Sequence, residues 1–444
     1  MVNAHDPRAH ASPATSGGSP LTVTCMSCGH RHTANRSILQ CPDCGGLLDA
    51  DIDLGQTLTP ADFTSDRRTP SGRSGVWRFR QLLPAIPEAD IVTRQEGNTP
   101  LYRDERLGDY AGLTNGWFSI KHEGQNPTGS FKDRGMTVGV SHARHIGAQL
   151  IACASTGNTS ASLASYAAAA GIPGIVLIPE GKISTSKLGQ TIAYGAKVVQ
   201  VEGDFDLALK LLRDLAEVYD VYLANSVNPF RPEGQKTIVF ELLDDLDWNP
   251  PDIIALPGGN LGNTAAFGKA LYEAHATGLI SKVPQIVTVQ AAGAAPFAAY
   301  YDSGFDHYAP VHAETIASAI KIGDPASVER ARRTIEQTGG IVTAVTDEEI
   351  LDAKAAIDRI GIGCEPASAA SLAGIRKLVA AGKVDAGATV VGVVTGNVLK
   401  DTDAIAHYHL EDHDGAPWPG ANRPVKTQPA VDALMKVLDD AIQG

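Results

Sequence analysis

The feature that most limits what this chain can fold into is a repeated unit: a short apolar run, a turn rich in Gly, Ser, Thr or Asn, then a helix-forming stretch. From Ile91 onward it reads as strand Gly116 to His122, helix from Phe131, strand 149–154, helix from Thr159, strand Gly174 to Ile178, helix near Ser186, strand Lys197 to Val201, helix from Phe205 and strand Val221 to Leu223. The pattern resumes after Pro250 with strand Asp252 to Leu256, helix Thr264 to His275 and strand Thr389 to Val394. Strand-length runs alternating with helical ones specify parallel βαβ units with helices on both sheet faces. With 444 residues, 43% of them hydrophobic, there is enough core for two lobes.

We therefore expect an α/β protein with two open parallel-sheet lobes: a polar, Ala/Ser/Pro/Gly-rich disordered tail over 1–20, a small cysteine-bearing segment over 21–55, a first lobe over 56–245, a second over 246–412 and an extension over 413–444. Within this scheme Asp51 to Arg80 reads as a polar connector, and Ala430 to Ile442 as a terminal helix.

In open α/β sheets ligands bind at the carboxyl ends of strands. Three turns there carry suitable chemistry: Ser155-Thr156-Gly157-Asn158-Thr159, Pro257-Gly258-Gly259-Asn260-Leu261-Gly262-Asn263 and Thr395-Gly396-Asn397. The second offers free backbone amides and a helix N-terminus to an anion, as many tight βα turns do. A fourth segment, Asn126-Pro127-Thr128-Gly129-Ser130-Phe131-Lys132, sets one lysine at a helix start. There the helix dipole and desolvation both favour the neutral amine, the form a Schiff base with an aldehyde cofactor requires. A plain surface lysine at a helix start shows the same local sequence.

The net charge of −13 argues against a nucleic-acid partner. No apolar run approaches the roughly 20 residues that span a bilayer, and the N-terminus lacks the order of a signal peptide, so the expectation is a cytoplasmic protein without a membrane partner. The six cysteines divide by spacing. Cys25, Cys28, Cys41 and Cys44 form C-x2-C-x12-C-x2-C, a set that can close a tetrahedron around a structural zinc ion, or stand as reduced thiols in a tail. His30 and His32, inside that loop, read as solvated. Cys153 and Cys364 lie in apolar surroundings and read as small core residues.

The four turns in this order, with Glu96-Gly97-Asn98-Thr99-Pro100-Leu101, Asn225-Ser226-Val227-Asn228-Pro229-Phe230-Arg231, Gln290-Ala291-Ala292-Gly293-Ala294 and Ser318-Ala319-Ile320-Lys321-Ile322-Gly323-Asp324-Pro325, resemble the fold type II (tryptophan synthase β-like) pyridoxal-5′-phosphate (PLP) enzymes, and among them the threonine synthases. The similarity runs from about Glu96 to about Asp401, and Tyr301-Asp302-Ser303-Gly304-Phe305 looks most like the plant-type branch. That branch is activated by S-adenosylmethionine; here a zinc-ribbon-like segment precedes Glu96 instead.

The resemblance implies that Lys132 carries PLP and moves protons, that Gly258, Gly259, Asn260, Leu261, Gly262 and Asn263 hold the cofactor phosphate, that Asn158 bonds the ring 3-hydroxyl and that Thr395 faces the pyridine nitrogen. It places the substrate phosphate on Ser155, Thr156, Thr159, Lys187, Asn225, Ser226, Arg231 and Asn260. The implied reaction turns O-phospho-L-homoserine and water into L-threonine and phosphate, in a homodimer. Rival readings are a synthase acting on O-phosphoserine, such as cysteate synthase, a threonine dehydratase, or a non-catalytic zinc-ribbon regulator on the same scaffold.

Overall fold

The computed structural model describes residues 20–35, 38–181, 185–203 and 205–443. Apart from Pro20, the tail expected over 1–20 lies outside them. A first compact unit ends at Lys400 and a second runs from Asp401.

The first unit opens with a three-stranded antiparallel ribbon, β1 (Thr22–Cys25), β2 (Arg31–Thr33) and β3 (Leu48–Ala50), in the order β2-β1-β3. Val23, Cys25, Leu48 and Ala50 are buried and share one apolar cluster with Val76, Trp77, Val138 and Phe230. The ribbon is also pinned by charge: Arg330 reaches Asp49 at 3.1 Å, Arg333 reaches Asp49 at 3.0 Å, and Lys269 donates to the Ala50 carbonyl at 2.8 Å. The segment after it is not the polar connector its sequence suggests. Phe63, Phe79 and Leu82 are buried in the main core, on short 3-10 turns at Pro60–Phe63 and Trp77–Leu82. Their spacing fits neither a helix nor a strand, so periodicity did not reveal them.

Two sheets carry the rest. β4 (Leu101–Arg103) and β5 (Trp117–His122) join β10 (Ile253–Pro257), β11 (Gln285–Ala291), β12 (Ile341–Val345) and β13 (Thr389–Val394) in the order β12-β11-β10-β13-β5-β4, parallel except for β4 against β5. β6 (Ile151–Ala154), β7 (Gly174–Pro179), β8 (Lys197–Val201) and β9 (Tyr222–Leu223) form a second parallel sheet in the order β8-β7-β6-β9. Sheet membership therefore does not follow the expected cut between residues 245 and 246. β5 pairs with β13 along its whole length, from Trp117 against Thr389 to His122 against Val394. Pairing across some 270 residues of sequence leaves no local signature.

Both faces of each sheet are covered. Along β10, Ile254 and Leu256 belong to one buried cluster and Ile253 and Ala255 to the other, the period-two alternation of a strand packed on both sides. In the smaller sheet Ile151 and Cys153 face one cluster, Ala152 and Ala154 the other. Each fully buried aliphatic side chain contributes about 1.5–3 kcal/mol. Cys153 and Cys364 are fully enclosed, and burial pushes the Cys153 thiol up to about 12, as core residues rather than nucleophiles. The second unit holds helices Thr402–Leu410 and Val431–Gln443, with Trp418 stacked on Tyr408 and His413.

Candidate active site

The strand order places three of the turns side by side. β10, β13 and β5 are neighbours and parallel, so the turns after Pro257, after Val394 and after His122 emerge on one edge, each strand about 4.8 Å from the next. The third of these leads to Lys132, the first residue of helix Lys132–His145. Its turn is stitched to the one after β13: Phe131 N donates to Thr395 O at 3.0 Å, Asn397 N donates to Gly129 O at 2.9 Å, and Ser130 bridges to Gly396.

The two residues after Lys132 hold that turn in place. Asp133 accepts from Thr128 N and Oγ1, both at 2.7 Å, and from Ser162 Oγ at 2.6 Å, while burial raises its carboxyl to about 6. Arg134 sits between Glu123 and Glu241 at 2.7 Å from each, and Glu241 also accepts from Asn98 N and Thr99 N. Lys132 itself is half-buried, its Nζ 4.0 Å from the Phe131 ring centroid. Burial, helped by the positive charge of Arg231 and opposed by Glu365, lowers its ammonium to about 7. A large fraction is thus a neutral nucleophile near neutral pH.

Opposite it, Asn158 opens helix Asn158–Ala170 and donates through Nδ2 to the Glu365 carboxylate at 3.0 and 3.2 Å. Thr395 Oγ1 lies 2.9 Å from Ser368 Oγ and 3.4 Å from Glu365 Oε1. Ser368 Oγ also accepts from Thr395 N and Gly396 N at 2.9 and 3.0 Å, so it shapes the turn. Glu365 and Ser368 were not singled out from the sequence. The available signal was Glu365-Pro366 at the start of helix Pro366–Ala380; proline at the first helical position marks a helix start, not a carboxylate aimed at a site.

Two groups of hydrogen-bond donors follow. In the turn after β10, Gly258 N is spent on Val289 O at 2.7 Å, whereas the amides of Gly259, Asn260, Leu261 and Gly262 give no hydrogen bond among the described contacts. Leu261 adopts the left-handed region (φ 61°) just before helix Gly262–Ala276. A Cβ on Gly258 would lie 2.7 Å from Thr288 Cγ2. Asn260 Oδ1 is occupied by Ala326 N at 3.1 Å.

The second contains Arg231. The side chain is 2% exposed, Nη1 donates to Ala224 O at 3.1 Å, and Nε has no partner. No carboxylate pairs with it among the described residues, and burial lowers it to about 10. Of the other residues expected to meet the substrate phosphate, Asn225 is committed to the backbone, with Oδ1 accepting from Ala154 N at 3.3 Å and Nδ2 donating to Ala154 O at 3.1 Å. Ser155 Oγ accepts from Gly157 N at 3.2 Å. Thr156, Thr159 and Ser226 are half-buried. Lys187 belongs to helix Thr185–Ala193, and its side chain lies outside the described residues.

These groups fit PLP chemically: a nucleophilic amine for the aldehyde, unspent main-chain amides for the phosphate, and polar groups for the ring. Ser130 Oγ, Asn263 Oδ1 and Arg231 Nε are buried without partners, a cost of roughly 1–3 kcal/mol each that polar ligands relieve.

In the ribbon, the sulfurs of Cys25, Cys28, Cys41 and Cys44 lie within 4.8 Å of one another, with Cys25–Cys44 at 3.5 Å and Cys28–Cys41 at 3.7 Å. Thiolates about 2.3 Å from a tetrahedral zinc stand roughly 3.8 Å apart, so the donor set fits that ion. His30 is exposed as expected, paired with Asp43 at 2.7 Å. His32 is not solvated: it is half-buried, with Nε2 3.3 Å from Cys41 Sγ.

Among the described residues no helix is long and apolar enough to cross a membrane. Residues 92–396 match the family described as pyridoxal-phosphate dependent enzyme. Threonine synthase of Methanocaldococcus jannaschii is 42% identical over 418 residues, 94% of this chain and 99% of that protein. The Mycobacterium leprae threonine synthase is 49% identical over 73% of this chain and 88% of its own length. Among solved structures, O-acetyl serine sulfhydrylase isoform 3 from Entamoeba histolytica aligns with TM-score 0.60 at 22% identity, over 72% of this chain and 91% of that one, which speaks for the fold. The chain belongs to the pyridoxal-phosphate dependent enzymes and, within them, to the threonine synthases.

Proposed function

We propose that this enzyme converts O-phospho-L-homoserine and water to L-threonine and inorganic phosphate, using Lys132 to move protons at the reacting carbons. The observation that carries this reading is Arg231: a buried guanidinium without a carboxylate partner among the described residues costs on the order of several kcal/mol unless an anion joins it. It stands near enough to Lys132 to depress the lysine's proton affinity. A substrate phosphate supplies that anion.

When bound, PLP would supply an electron sink for the substrate's α-carbon. Main-chain amides of Gly259 to Gly262 would hold its phosphate, with Gly258 and Asn263 shaping the turn, and Asn158 and Thr395 would serve its ring. Lys132, once its amine is free, takes the proton from Cα and then from Cβ, gives one to Cγ once the phosphate has left, making the methyl group, and returns one to Cα at the end. Arg231 binds the substrate phosphate with Thr159, Ser226, Asn260, Lys187 and the turn of Ser155 and Thr156, and stabilises it as the Cγ–O bond breaks. Asn225 acts by fixing that pocket to β6. Water then adds its hydroxyl at Cβ.

We read the four cysteines as ligands of a structural zinc, since four protein donors leave no open position, and the enzyme as a cytoplasmic homodimer, which sedimentation tests. The decisive assay supplies purified holoenzyme with O-phospho-L-homoserine and, separately, O-phosphoserine. Threonine and phosphate from the first support the proposal. Phosphate from the second alone selects the β-replacement reading.

A further inference from the structure

Glu365 is 4% exposed and touches both side chains assigned above to the cofactor ring. It accepts from Asn158 Nδ2 through both carboxylate oxygens, at 3.2 and 3.0 Å, and lies 3.4 Å from Thr395 Oγ1. The backbone holds it there: Glu365 N donates to Gly396 O at 3.1 Å, and a Cβ at Gly396 would come within 2.3 Å of Glu365 Oε1. The amines of Lys132 and Lys400 both feel its charge.

A carboxylate only accepts hydrogen bonds, whereas an asparagine side chain presents a donor on one side and an acceptor on the other. Beside Glu365, Asn158 must therefore turn its NH2 inward. One of those two N–H bonds is used by the carboxylate and the other is left for a ligand. Building on the reading that Asn158 meets the ring's 3-oxygen, we infer that Glu365 is a positioning residue: it locks the Asn158 amide as a donor toward that oxygen and so holds the oxygen in its ionised form. Glutamine at 365 can offer Asn158 a donor as well as an acceptor, and the amide is then free to flip.

The test is the absorbance of the bound cofactor, which separates the ionised-oxygen form at long wavelength from the neutral-hydroxyl form at short wavelength. In Glu365→Gln holoenzyme at fixed pH, the long-to-short band ratio should fall by about two- to tenfold, the span of a single neutral hydrogen bond. Asn158→Ala should lower the ratio in the same direction, and adding Glu365→Gln to it should change nothing further. Glu365→Asp, charged but one methylene shorter, should behave like Glu365→Gln and serves if the amide variant folds poorly. A fall in Asn158→Ala with an unchanged ratio in Glu365→Gln and Glu365→Asp overturns the role of Glu365 while leaving the Asn158 reading intact. No fall in Asn158→Ala removes that reading itself.

Discussion

The turn Gly258–Asn263 and the side chain of Arg231 both offer hydrogen-bond donors, the first with main-chain amides and a helix N-terminus, the second with one buried guanidinium. The amide cradle carries no formal charge, so leaving it empty costs little and its affinity rests on backbone shape. Arg231 is the reverse: its charge is useful only when an anion arrives, and its burial weighs on the fold until then. The difference suits a permanent cofactor phosphate on one side and a substrate phosphate that comes and goes on the other.

The largest effect lies between the two. Lys132→Ala should abolish turnover while the amide cradle still retains PLP without a covalent bond. Borohydride reduction and peptide mapping should label Lys132 in the parent only; a label on another lysine removes the assignment.

Arg231→Leu should sharpen the contrast. A hydrogen bond to a charged group is worth about 1.5–3 kcal/mol, so kcat/KM for O-phospho-L-homoserine should drop about ten- to a hundredfold or more, with PLP content unchanged. Slow turnover of unphosphorylated serine should hardly change, and equal losses on both substrates would place Arg231 in the fold instead. Without phosphate the variant should melt no lower than the parent, because an unpaired buried charge has been removed. Inorganic phosphate should raise Tm in the parent only.

Gly258→Ala should disturb the other cradle. Its new methyl group meets Thr288 Cγ2 at 2.7 Å and Gln290 Cγ at 3.1 Å, an overpacking cost of about 1–3 kcal/mol. PLP should then dissociate several-fold faster, with the phosphate-dependent Tm rise at Arg231 preserved. Loss of both responses together would mean that the cradles are not independent.

Proton affinity gives a smaller signal. With Lys132 at about 7, capture of PLP by apoenzyme should speed up through pH 7 and level off above it, as measured by stopped-flow absorbance. The unfolded lysine stays protonated up to about 10.4, so between these values the unfolded state binds more protons and this group's contribution to apoenzyme stability rises with pH. A capture rate still climbing steeply above pH 9 would contradict the lowered value.

Least effect on chemistry is expected from the ribbon. Cys25→Ser with Cys28→Ser should remove about one zinc per chain and lower Tm, with kcat nearly unchanged. Undiminished zinc in metal analysis would mean the ligand set is wrong. Lost turnover with PLP and fold intact would mean the role is more than structural.

Local periodicity and turn chemistry, read from the sequence alone, determined the βαβ class, the strands and helices from 117 to 223, the strand and helix over 253–276, the strand over 389–394, the helix-start position of Lys132 and the cysteine spacing, but none of the helices and strands over 231–245 and 285–380. These follow from neighbours in the chain. The tertiary structure alone decided that β5 belongs with β13, that Phe63 and Phe79 are core, that Asn225 is spent on Ala154 and that His32 leans on Cys41. It also brought Glu365 to Asn158, 207 residues apart in sequence, and gave Arg231 no carboxylate among the described residues. Whether a buried polar group is paired depends on what the folded chain places around it, and no local pattern encodes that.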